Sequence, residues 1–162
     1  MNNHLASIKR TSATGLWGSV AVVLLAAGFT LSPYRIVPQS EATTRWMLVA
    51  GSLLAVLAVS MALMTVRKRV PQLRQSEGLE SKLAGYARHV RSLYLPMLGV
   101  VALVCLLEVI ASQSVLLMLA IVATLLLFLN YPNMYRVKVD LGLTDEEMRS
   151  LYGDQYIVAD DK

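Results

Sequence analysis

The stretch Arg91-SLYLPMLGVVALVCLLEVIASQSVLLMLAIVATLLLFLNYPNMY-Arg136 decides the fold, because the 44 residues between its two arginines carry a single charge, Glu108. A helix rises about 1.5 Å per residue and crosses a hydrocarbon core of roughly 30 Å in about 20 residues, so this run is long enough for two crossings. Ser112-Gln113-Ser114 is its main polar interruption and marks the turn between them. Long continuous apolar runs without alternation predict helices rather than strands.

Two further uncharged runs lie upstream, 24 residues between Arg10 and Arg35 and 21 between Arg45 and Arg67, each sufficient for one crossing. The whole chain of 162 residues is 56% hydrophobic and 16% charged. Soluble domains average roughly 45–50% apolar and about 25% charged, so a soluble enzyme, a nucleic-acid-binding domain and a disordered regulator are all disfavoured. The expected fold is an all-α integral membrane protein, a single domain of four transmembrane helices at about 15–32, 46–66, 92–111 and 114–131. These form two antiparallel hairpins.

Lysine and arginine place the loops, since short loops rich in them stay cytoplasmic. Thirteen of the fifteen basic residues fall in the N-terminal segment, the central loop 67–91 and the tail 132–162. Only Arg35 and Arg45 fall on the other side, which predicts that both termini are cytoplasmic. Trp17, Tyr94, Tyr131 and Tyr135 would then sit at the inner interface and Tyr34 and Trp46 at the outer one. A cleaved leader is disfavoured because the first apolar run is long and ends in Gly28-Phe29-Thr30-Leu31-Ser32. The expected location is a bacterial inner membrane.

The net charge of +4 reads as membrane topology rather than nucleic-acid binding, and no nucleic-acid partner is expected. The basic residues of the central loop, Arg67, Lys68, Arg69, Arg74, Lys82, Arg88 and Arg91, are expected to meet anionic headgroups or a membrane protein partner. Pro71 should end the second span. After it, Leu79, Leu83, Tyr86, Val90 and Leu93 recur at helical spacing. They predict an amphipathic helix that either lies on the inner leaflet or runs straight into the third span, with Pro96 as a kink. Ser76 is its expected N-cap.

In the tail, Thr144-Asp145-Glu146-Glu147 has capping-box spacing, with Leu143 and Met148 as the accompanying staple and Gly153 as the stop. A short helix over about 145–152 is expected. Alone it would be marginal, so Met148, Leu151 and Tyr152 should dock it on its own central loop or on a partner.

Within the spans, Gly51, Ala55, Ala58, Ala62 and Thr65 form a stripe of small side chains suited to close helix packing, against the first helix or another subunit. Ser19 and Thr30 are expected to bond to their own backbone. Glu108 is the one acid in any span, and an ionisable group at such depth is a functional candidate. It shares a helix face with Cys105 and Ser112, and Arg35 or Arg45 is its expected counter-charge. No catalytic constellation, metal-ligand spacing or cofactor motif is present, so neither a cofactor nor a catalytic residue is assigned. Two functions follow: a non-enzymatic accessory or scaffold subunit working through its cytoplasmic loop and tail, or a small oligomeric transporter or channel using Glu108.

Overall fold

The computed structural model describes residues 2–32, 40–76 and 78–153. Among them the chain is all-helical: α1 (Asn2–Thr30), α2 (Glu41–Arg74), α3 (Leu79–Ala111), α4 (Ser114–Leu129), α5 (Met134–Leu141) and α6 (Asp145–Tyr152). Three helices, α1 to α3, are long and apolar enough to cross a membrane. With 16 residues, or about 24 Å, α4 is short for a crossing. It meets the test only together with α5, to which it is bent by 75°.

The helices outrun the expected spans at the basic end. The segment before Gly15 is the first half of α1, with Leu5, Ile8 and Ser12 buried along one face. Lys9 and Arg10 lie on its exposed side and do not interrupt it. Instead of ending at Pro71, α2 continues to Arg74. Proline removes the one hydrogen bond to the carbonyl four residues back, here that of Arg67, and at an exposed helix end solvent replaces it. Of the two expected courses of the central-loop helix, the second is observed: it runs straight into the third span rather than lying apart from it. Leu79 to Ala111 is one continuous helix through Pro96, capped by Gly78 rather than Ser76, and the apolar stripe of its first turns packs sideways on neighbouring helices.

Packing is organised around α3. Gly15 lies against Tyr94, Gly18 against Leu98 and Thr30 against Glu108, so α1 runs parallel to α3 along its length. Arg69 meets Ser92 and Gly51 meets Leu107, so α2 runs the other way. The Tyr94 hydroxyl donates to the Leu127 carbonyl at 2.9 Å and ties α4 to α3. The first expected hairpin is not a packed pair: α1 and α2 each pack on α3 and α4 and have little contact with each other.

The close approach of α1 to α3 explains its buried polar residues. Ser12, Gly15, Ser19, Ala26 and Thr30 form a seam of small side chains facing α3. Ser12 and Ser19 turn their hydroxyls onto the carbonyls of Ile8 and Gly15, each at 2.8 Å, and are satisfied without leaving the helix.

At the basic end the tail folds back on the bundle. Thr144 accepts from the Glu147 N–H at 3.2 Å and its own N–H donates to the Glu147 carboxylate at 2.8 Å, a complete capping box. Between α5 and α6, Gly142 takes a left-handed conformation at φ 61° and the Leu143 N–H returns to the Lys138 carbonyl at 3.0 Å. That close, with buried Leu143 beside it, stops α5 and aims α6 back at the core.

Candidate functional site

Two places collect buried polar chemistry. The first is at the far end of α3, where Glu108 is fully enclosed. Its Oε1 accepts a hydrogen bond from the Thr30 hydroxyl at 2.7 Å, and its Oε2 has no hydrogen-bond partner among the described residues. The same hydroxyl lies 2.8 Å from the Ala26 carbonyl, so the backbone of α1 competes for its one proton. Cys105, one turn away on α3, is a buried free thiol. Ser112 caps α3 in the left-handed region, φ 53°, with its N–H on the Glu108 carbonyl at 2.6 Å. Glu108 has no solvent-exposed surface, because α1 packs over its face of α3 through Thr30.

Of the two expected counter-charges, Arg45 does not reach this site. Arg45 pairs with Glu41 one turn earlier on α2, at 2.8 Å, with its side chain 75% exposed. An i, i+4 carboxylate on its own helix is nearer than any on α3. Arg35 lies outside the described residues. What holds Glu108 is Thr30, a residue expected only to bond to its own backbone; its spacing from Ser12, Gly15, Ser19 and Ala26 was the available signal.

The second place, at the basic end, was not found from the sequence. Tyr86 and His89 on α3, Asn130 after α4, and Arg136 and Asp140 on α5 surround a polar space of about 10 Å³, the size of one water molecule. The Asp140 carboxylate accepts from the Tyr86 hydroxyl at 3.0 Å and from Arg136 at 3.3 Å, and Arg136 also reaches Asn130 at 3.0 Å. Burial, with the Asp140 charge next, pushes the Tyr86 phenol far above its ordinary range. Arg136 and Asp140 have helical i, i+4 spacing in the sequence, but nothing local points from Asp140 to Tyr86, 54 positions away.

His89 is 4% exposed and its Nδ1 has no hydrogen-bond partner among the described residues. Burial, and then the Arg69 guanidinium, lower its pKa from 6.5, while Asp140 pulls the other way. Above pH 6.5 the imidazole is neutral in folded and unfolded chains alike. Below it, the unfolded chain takes up a proton that the folded chain does not, so stability falls with pH until the lowered folded value is passed. Melting temperatures of the wild type and His89→Gln from pH 8 to 5 are expected to show a shallower acid slope in the variant. Parallel slopes would remove His89 from this account.

The basic residues divide into two sets. Arg67, Lys68, Arg69, Arg88 and Arg91 are exposed. Arg74 is committed to the fold: its guanidinium donates to the carbonyls of Val139 at 2.7 Å and Asp140 at 3.2 Å, closing the C-terminal turn of α5. Lys82 is half-buried. In the tail, Met148 is fully buried in the main core, Leu151 and Tyr152 pack against it, and the Lys9 ammonium lies 5.5 Å from the centre of the Tyr152 ring. These tail residues therefore meet their own chain, α1 included.

The small-residue stripe of α2 does not face α1. Gly51 abuts Leu116 of α4 and Leu107 of α3. Ala58, Ala62 and Thr65 line an apolar groove of about 400 Å³ between α2 and α3, and the Thr65 hydroxyl is turned onto the Met61 carbonyl. No group of three His, Cys, Asp or Glu residues with metal-binding arrangement occurs among the described residues. Comparisons with protein families, curated proteins and solved structures return no match.

Proposed function

We propose that the chain is a non-enzymatic accessory or scaffold protein of a bacterial inner membrane. In this reading it has four spans, the last being α4, and both termini are cytoplasmic. Its exposed basic surface contacts anionic headgroups or a membrane partner. The observation that carries the proposal is the construction of the basic end. Arg74, Asp140, the capping box and Met148 lock the tail onto α1 to α3, while Arg67, Lys68, Arg69, Arg88 and Arg91 stay exposed on that locked surface. A fixed cluster of like charges is suited to contact.

Enclosure of Glu108 weighs against a transport pathway, since a carboxylate on such a route has to face a water-filled cavity. The purified protein in liposomes carrying a proton or cation gradient is expected to dissipate it no faster than empty vesicles. A flux that Glu108→Gln abolishes, with the fold intact, would overturn the scaffold reading in favour of a small transporter.

A further inference from the structure

We infer that the groove between α2 and α3 is a site for one anionic phospholipid, with an acyl chain along the groove and the phosphate between Arg69 and Arg88. The inference rests on the proposed membrane placement and gives its headgroup contact a defined position. The groove, about 400 Å³, lies within the range of roughly 300–1,000 Å³ typical of small-molecule sites. Its walls are apolar: Leu54, Ala58 and Met61 on one side, Pro96, Met97 and Val100 on the other. Inside a bilayer such a space is filled by hydrocarbon, and each buried methylene contributes to holding the chain there.

Helical register specifies the headgroup. On α2 the groove line Ala58, Met61, Thr65 continues one turn further to Arg69. On α3 the line Val100, Pro96, Ser92 continues one turn the other way to Arg88. Arg69 stands at the groove mouth, since it donates to the Ser92 hydroxyl, itself part of the groove wall, at 3.3 Å, and Arg88 is one helical turn from Ser92 on α3. Both arginines are exposed, and neither pairs with a carboxylate among the described residues. Two unpaired guanidiniums at the mouth of an apolar groove select a phosphate without a compensating ammonium, because a zwitterionic headgroup brings its own positive charge to the same place.

The test is native mass spectrometry of the whole protein in bilayer discs of equal phosphatidylglycerol and phosphatidylcholine. Wild type is expected to retain one phosphatidylglycerol per chain with a preference of about tenfold. Arg69→Gln/Arg88→Gln should lose that preference, while Arg10→Gln/Arg149→Gln, with the same change in net charge, should keep it. Ala62→Leu, which fills the groove, should lower retention of the lipid while Arg69 and Arg88 remain. Equal retention of the two lipids by wild type, preference persisting without Arg69 and Arg88, or retention unaffected by Ala62→Leu would each overturn the site. Displacement of the lipid by soluble glycerol phosphate would also overturn it, by showing that the headgroup binds without the chain. Loss of this site leaves the scaffold reading standing. A Glu108-dependent flux would remove that reading and leave the lipid site.

Discussion

Replacing Thr30 by valine is expected to destabilise the protein by about 1–3 kcal/mol, the usual cost of leaving a buried polar group without its partner. Valine preserves the shape of threonine, so the packing of α1 on α3 is retained and only the hydroxyl is lost. Glu108 remains fully enclosed, its Oε2 already has no partner among the described residues, and Oε1 then loses the hydrogen bond from Thr30. Thr30→Ser keeps the donor and should stay close to wild type.

The informative variant is the double one. Replacing both members of a buried polar pair by apolar residues of similar volume is often neutral or stabilising, whereas removing one is costly. Thr30→Val/Glu108→Leu is therefore expected to recover most of the stability lost in Thr30→Val. The two changes should be non-additive by more than the ~0.5 kcal/mol seen between independent sites. Thermal unfolding of the four proteins in one detergent measures this. A neutral Thr30→Val, or a double variant as unstable as the sum of the singles, would show that the hydrogen bond does not hold the far ends of α1 and α3 together.

This pair also marks where sequence reasoning stops. The turn at Ser112 and the capping box at Thr144 were legible because each is decided within a few residues by backbone chemistry. The apolar runs were legible because hydrocarbon demands them. Span limits were not, since counting from charge to charge cuts α1 at Arg10, although Leu5, Ile8 and Ser12 continue the buried face of the same helix. Partner choice was not legible either. Arg45 looked like a counter-charge for Glu108 when loops alone were considered, yet its own helix supplied Glu41. Asp140, Tyr86 and His89 come together because α5 is turned by 75° from α4 and held by Arg74, so that Asp140 reaches the start of α3, an arrangement that no spacing announces.

The largest effect is expected where α1 crosses α3. A Cβ placed on Gly15 would lie 2.8 Å from both Cβ and Cδ1 of Tyr94. Tyr94 cannot retreat easily: it is fully buried and its hydroxyl is fixed on the Leu127 carbonyl, and the atom in the way is the root of the side chain rather than its tip. Gly51 is the contrasting case, because its added Cβ would meet a terminal methyl of Leu116, at 2.7 Å, which a rotamer change can move. The sequence pattern singles out Gly51, the head of its small-residue stripe, and not Gly15. The geometry reverses that choice. Gly15→Ala is expected to cost about 1–3 kcal/mol through overpacking, and Gly15→Leu to force α1 off α3 and separate Thr30 from Glu108 as well. Gly51→Ala should cost less than Gly15→Ala. Unfolding of the two alanine variants side by side decides it, and a Gly51→Ala protein less stable than Gly15→Ala would mean that α2, not α1, is the helix held most tightly against α3.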